Sequence, residues 1–136
     1  MSLNQTSEIT DARAVLETES SAIKLAAERL DANFIRAVEI LDVPDGKIVV
    51  TGLGKSGHVG RKIAATFCST GSPAVFMHAS EAVHGDLGVH QSGNPTIFLS
   101  NSGSTSELLA LVPILRNRCS SLVGILGNLD GVLAQK

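Results

Sequence analysis

The stretch "KIVVTGLGKSGHVG", residues 47–60, constrains the fold more than any other in the chain. Its apolar residues are contiguous rather than alternating, which suits a strand buried on both faces. A glycine-rich turn follows at once, and a helical pattern follows the turn. Three further short runs read as strands: "PAVFMH" (73–78), "PTIFLS" (95–100) and "SSLVGILG" (120–127). Between them "GRKIAATFCSTG" is helical with Gly71 as its stop, and "TSELLALVPILRNR" is helical despite Pro113 inside it. Strand and helix in alternation predict an α/β fold, a three-layer α/β/α sandwich on a parallel sheet with right-handed crossovers. The first and third strands are expected to flank the topological switch point.

Before this block, residues from about Glu8 to Leu41 repeat apolar side chains at helical spacing. Val15, Ile23, Ala26, Ala27, Leu30, Phe34, Val38 and Leu41 lie near one stripe. Thr10 is expected to cap the start and Asp31 a second segment after a bend; Pro44, Asp45 and Gly46 end it. The expected organisation is an N-terminal helical segment, residues 1–45, and an α/β domain, residues 46–136. So long a stripe is expected to pack on a sheet face or on a second subunit, giving a homo-oligomer.

Composition removes several function classes. The net charge of −2 offers no attraction to nucleic acid or to an anionic membrane. The four Phe, with no Trp or Tyr, supply no stacking platform for single strands. No apolar run is long enough to span a membrane, and the first ten residues lack the pattern of a signal peptide. Cys68 and Cys119 share no short spacing, so each is expected to be a buried reduced thiol in a cytoplasmic protein.

The glycine turn raises the question of which phosphate it holds. Gly52, Gly54 and Gly57 satisfy G-x-G-x-x-G, but no acidic residue ends the second strand to hold a ribose: it ends Phe76-Met77-His78. Gly54-Lys55-Ser56 imitates the end of a P-loop, yet the glycine that motif needs five positions earlier is Val49. A second turn, "LSNSGSTSELLAL" (99–111), repeats the strand–loop–helix design with Ser100, Ser102, Ser104, Thr105 and Ser106 around Gly103. Hydroxyls and free amides at a helix N-terminus suit a compact dianion. Two such loops sharing one crevice suit a small phosphorylated ligand.

"GLGKSGHVGRKIAATFCSTGSPAVFMHASEAVHGDLG" followed by "SNSGSTSE" resembles a sugar isomerase (SIS) domain, and more narrowly the D-arabinose 5-phosphate isomerases. That resemblance implies a flavodoxin-like sheet and interconversion of D-ribulose 5-phosphate and D-arabinose 5-phosphate, in supply of lipopolysaccharide precursors. It implies a catalytic set that includes Lys55, His84 and Glu107, and a sugar-phosphate cradle of Gly54, Ser56, Ser100, Ser102 and Thr105. No cofactor and no metal is required. The family continues past the point matching Lys136, with further active-site Glu and His residues and often paired CBS domains. Part of the catalytic set is therefore expected to lie outside these residues, and the chain by itself is expected to have little activity. Ser104 stands where an acidic residue is common, and Ala79-Ser80 replaces a Pro-Gly turn.

Each residue also has a plain structural reading. Lysine is usually a solvated loop residue, and Ser and Thr are common at turns and caps. Ser104 to Glu107 spell a capping box, in which Glu107 only folds back on the amide of Ser104. His58, His78 and His90 lack the warrant of His84, and His78, His84 and His90 lack the i, i+4 spacing of a helix-borne metal pair. The competing class is a non-catalytic sugar-phosphate-binding module of a regulator. The acidic charge and the lack of a helix-turn-helix pattern weigh against DNA binding.

Overall fold

The computed structural model describes residues 5–136, and side chains from Ser7 onward. The chain forms two compact units that divide between Arg36 and Ala37. The first holds α1 (Gln5–Glu28) and the start of α2 (Ala32–Leu41). Thr10 lies inside α1 rather than at its start, so the expected cap is corrected: the helical pattern simply begins earlier. Asp31 does cap α2, its Oδ1 accepting the amide of Asn33 at 2.8 Å.

The second unit is built on four parallel strands: β1 (Ile48–Gly52), β2 (Ala74–His78), β3 (Thr96–Ser100) and β4 (Leu122–Leu126), ordered β2-β1-β3-β4. Both β1 and β3 are buried at every position, as their unbroken apolar runs require. Alternate residues face opposite layers. Ile48, Val50, Ile97 and Leu99 pack with Ala64 of α3 (Gly54–Ser69). Val49, Met77 and Phe98 pack with Leu108, Leu111, Val112 and Leu115 of α5 (Ser106–Asn117), and with Ala79 and Ala82 of the short α4 (Ala79–Ala82). The result is the expected three-layer α/β fold. Pro113 sits within α5 on an exposed face, its missing N–H costing one intrahelical bond and no buried contact. Among the described residues no helix is long and apolar enough to cross a membrane.

The cysteine expectation is overturned. Cys68 and Cys119 are free but exposed. Cys68 lies near the end of α3, outside both core clusters, and gives its thiol to the carbonyl of Ala74 at 3.1 Å. Cys119 sits in the tight turn after α5 with φ 57°. Helical period cannot locate a residue just past the helix that defines it.

At the amino ends of the strands a polar clasp closes the sheet. His90 is only 2% exposed, and its Nε2 meets the carbonyl of Asn94 at 3.0 Å, while Nδ1 is buried without a partner. The same carbonyl accepts the Ser120 hydroxyl at 2.6 Å. Arg118 donates to the carbonyls of Leu87 and His90 at 2.8 and 2.9 Å. Burial, with Arg118 nearby, holds the His90 imidazole below its ordinary pKa of 6.5. As pH falls the unfolded chain therefore binds this proton first. The expected outcome is that stability is greatest above 6.5 and declines as pH falls from there toward the lowered folded value. Urea midpoints between pH 7.5 and 5, compared with those of His90→Gln, measure this: the variant should lose the part of the slope due to this site.

Candidate functional site

The site is built from strand ends. Gly52 ends β1, and α3 begins two residues later at Gly54, whose φ of 51° only glycine adopts readily. The turn is tight because the backbones touch. A Cβ on Gly57 would lie 3.2 Å from the carbonyl oxygen of Gly52, and one on Gly52 would lie 3.2 Å from the carbonyl of Ser56. The amides opening α3 have no intrahelical carbonyl to bond, and no side chain caps them. They form a partial positive charge at the carboxyl end of β1. Lys55 stands exposed in this first turn, and Ser56 is half-buried beside it.

The second loop leaves the neighbouring strand. Gly52 pairs with Leu99 in the parallel ladder, so the loop after Ser100 departs beside the first one and from the same end of the sheet. Ser100 is buried, and its hydroxyl bonds that of Thr105 at 2.8 Å and accepts the amide of Gly103 at 3.1 Å. Ser102 accepts the amide of Ser104 at 3.3 Å. The loop is thus folded into a small ring by its own hydroxyls. Thr105, half-buried, precedes the first residue of α5.

Here the capping-box reading is corrected. The residue before α5 is Thr105, not Ser104, so Glu107 is one position too early to reach back. Its carboxylate instead accepts the Ser106 hydroxyl at 2.8 Å. Its own backbone amide and then that hydroxyl lower its pKa from the ordinary carboxylate value. A carboxylate held ionised one turn from an anion loop can take a proton, and the structure gives it no capping duty toward Ser104.

His84 stands apart from these contacts. It is exposed in the turn between α4 and the 3-10 turn Asp86–Val89, six residues past the end of β2. Because β2 pairs with β1, Gly52 opposite His78, the segment carrying His84 also starts at this end of the sheet. Lys55, Ser56, Ser100, Ser102, Thr105 and Glu107 therefore lie at two adjoining strand-to-helix junctions, while His84 lies on a third segment that begins beside them. A cavity of about 530 Å³ lies elsewhere, between α5 and β4 along the open edge of the sheet, and none of the expected site residues line it. Among the described residues no three His, Cys, Asp or Glu side chains converge as metal ligands.

Sequence reasoning missed what backs the second loop. The turn after β4 presses on it: Gly127 donates to the carbonyl of Ser100 at 3.0 Å, and Leu133 donates to that of Gly103 at 2.8 Å. Gly103 has φ 66°, and a Cβ there would fall 2.5 Å from the carbonyl oxygen of Asn128. No local pattern in "GNLDG" (127–131) says which loop it touches. Gly103→Ala combines a strained φ with this collision, so it should destabilise the domain by about 1–3 kcal/mol. Urea unfolding measures it; a change under a few tenths of a kcal/mol would mean the loop shifts freely.

Comparison with known proteins agrees with the fold. Residues 43–136 match the SIS domain family. The chain is 41% identical over 127 residues to the arabinose 5-phosphate isomerase KdsD of Pseudomonas aeruginosa, covering 93% of this chain and 39% of that protein. It is 42% identical over 123 residues to the arabinose 5-phosphate isomerase GutQ of Salmonella typhimurium, covering 90% of this chain and 38% of that one. It thus spans about two fifths of the length of these relatives. Among solved structures, an Escherichia coli CFT073 protein in complex with arabinose 5-phosphate superposes with a TM-score of 0.91 at 37% identity, covering 98% of this chain and 71% of that one.

Proposed function

The chain belongs to the SIS domain family, and from that premise we propose that it carries an aldose–ketose isomerase site for D-ribulose 5-phosphate and D-arabinose 5-phosphate. The observation that carries this reading is the adjacency of the two loops. Two helix N-terminal turns, one with a lysine and one ringed by hydroxyls, leave paired positions of β1 and β3. Two such turns suit one phosphate with a short polar tail, and no acidic residue ends β2 to hold the ribose of a dinucleotide. The relatives named as arabinose 5-phosphate isomerases, and the structure holding that sugar phosphate, support the choice of sugar. Supply of lipopolysaccharide precursors, in the cytoplasm where sugar phosphates are retained, is the role we assign.

The chemistry follows from the residues. The phosphate rests on the amides of Gly54 and Ser56 and on the hydroxyls of Ser100, Ser102 and Thr105. With the sugar open, Glu107 removes the proton on the carbon next to the carbonyl, and an enediol forms. Lys55 steadies the developing oxyanion. His84 moves the hydroxyl proton between the two oxygens. Returning the first proton to the neighbouring carbon completes the isomerisation, so no electron is lost or gained overall. Its own backbone amide and the Ser106 hydroxyl favour the ionised form of Glu107.

Proton abstraction can be read without full turnover. Ribulose 5-phosphate in deuterated water should take up deuterium at the carbon next to its carbonyl when the protein is present. Glu107→Gln should keep sugar-phosphate binding by calorimetry and slow this exchange by ~10² or more. Unchanged exchange in that variant would return Glu107 to a structural role. Tighter binding of NAD than of arabinose 5-phosphate would overturn the ligand class altogether.

A further inference from the structure

His84 stands in an exposed run, residues 83–86, which turns through Gly85 at φ 139°. The run is held at its two ends. Before it, Ala79 and Ala82 are fully buried in the cluster that includes Leu108, Leu111 and Leu115 of α5. After it, Leu87 packs half-buried against the same cluster, and Arg118 donates through Nη1 to the carbonyls of Leu87 and His90 at 2.8 and 2.9 Å. Apolar packing of two alanines is not directional, whereas hydrogen bonds from a charged donor are both strong and aimed. Arg118 is itself fixed. It closes the carboxyl end of α5, and its own carbonyl accepts the amide of Gly93 at 3.0 Å and the Ser92 hydroxyl at 3.2 Å. The first turn of the same helix carries Glu107. Twelve residues of α5 make a rod about 18 Å long, with the candidate base at one end and the anchor of the His84 segment at the other.

We propose that Arg118 is a positioning residue for His84. Its two bonds fix the far end of the segment and so set where the imidazole stands relative to the helix that carries Glu107. This rests on the isomerase reading above, in which His84 moves a proton on the bound sugar. Leu87 follows His84 by three residues, so the chain between anchor and imidazole spans about 10 Å at most, and a shift at one is felt at the other. Without the guanidinium the carbonyls of Leu87 and His90 lose the donor that holds them to α5. The phosphate loops after β1 and β3 take no part in these bonds, so their hold on a phosphate does not depend on Arg118. The residue therefore acts on the proton relay and not on phosphate binding.

Magnetic resonance of the 136-residue chain, with arabinose 5-phosphate as the probe, tests this. Arg118→Met keeps an unbranched stem and removes both donors. The His90 amide, which bonds the carbonyl of Leu87 at 3.1 Å, should exchange its hydrogen at least about tenfold faster in the variant, while the amides of β1 keep their protection. In the parent, the His84 imidazole resonances should shift along the same binding curve as the amides of Gly54 to Gly57. In Arg118→Met those amides should still shift, with a dissociation constant within about twofold of the parent's, while the His84 resonances no longer follow them. Arg118→Lys keeps a charged donor and should fall between the two; it also serves should Arg118→Met fail to fold. An unchanged His90 amide would overturn the anchor. His84 resonances that follow the sugar equally in parent and variant would overturn the positioning role, as would loss of the loop shifts together with those of His84. Loops that respond in the parent while His84 does not would overturn this proposal alone. Loops that do not respond at all would overturn the isomerase reading beneath it.

Discussion

The carbonyl oxygen of Gly52 lies only 3.2 Å from where a side chain on Gly57 would begin, and the candidate site is built round that close approach. With a side chain at either position the facing backbone would have to give by a few tenths of an ångström. Moved outward, α3 would carry Lys55 and its free amides away from the neighbouring loop. The same economy of space holds on the second strand, where Gly103 meets the turn after β4. Close backbone approach, which only glycine permits, brings two partial positive charges to one end of a parallel sheet. The shared phosphate position proposed for the ligand follows from those two approaches and from β1 and β3 being neighbours.

The two ends of the sheet do different work. At the carboxyl end the polar groups are exposed or half-buried and face outward from tight loops. At the amino end the polar groups of His90, Asn94, Thr96 and Ser120 are buried and bonded chiefly to one another and to backbone. A buried network of that sort fixes the register of β3 and β4 while leaving the opposite end free to be shaped by chemistry. The Ser100 hydroxyl is the exception, since it is buried at the functional end, where it holds the loop in shape.

Much of this was legible in the residues. Unbroken apolar runs marked β1 and β3 because strands buried on both faces have no polar side to show. Gly71 marked the end of α3 because the chain turns there through φ 97°. The loops were legible for the same reason: hydroxyls and glycines cluster where amides are left open. What escaped was set by distance along the chain or by a single residue of register. The start of α5 at Ser106 rather than one residue earlier changes Glu107 from a cap into an available carboxylate, and S-x-x-E reads alike in both cases. The pressure of Gly127 and Gly131 on the Ser-rich loop joins residues far apart in sequence, and no local pattern reports it. The thiols were misplaced because average burial of cysteine says nothing about a residue at a helix end.

The central claim is that the loops after β1 and β3 hold one phosphate together. Amide resonances of this 14.1 kDa chain, followed while arabinose 5-phosphate is added, test it most directly. The expected result is that the amides of Gly54 to Gly57 and of Ser102 to Thr105 shift along a single binding curve, and that inorganic phosphate moves the same set less strongly. Shifts confined to one loop, or centred on the cavity at the β4 edge, would contradict it.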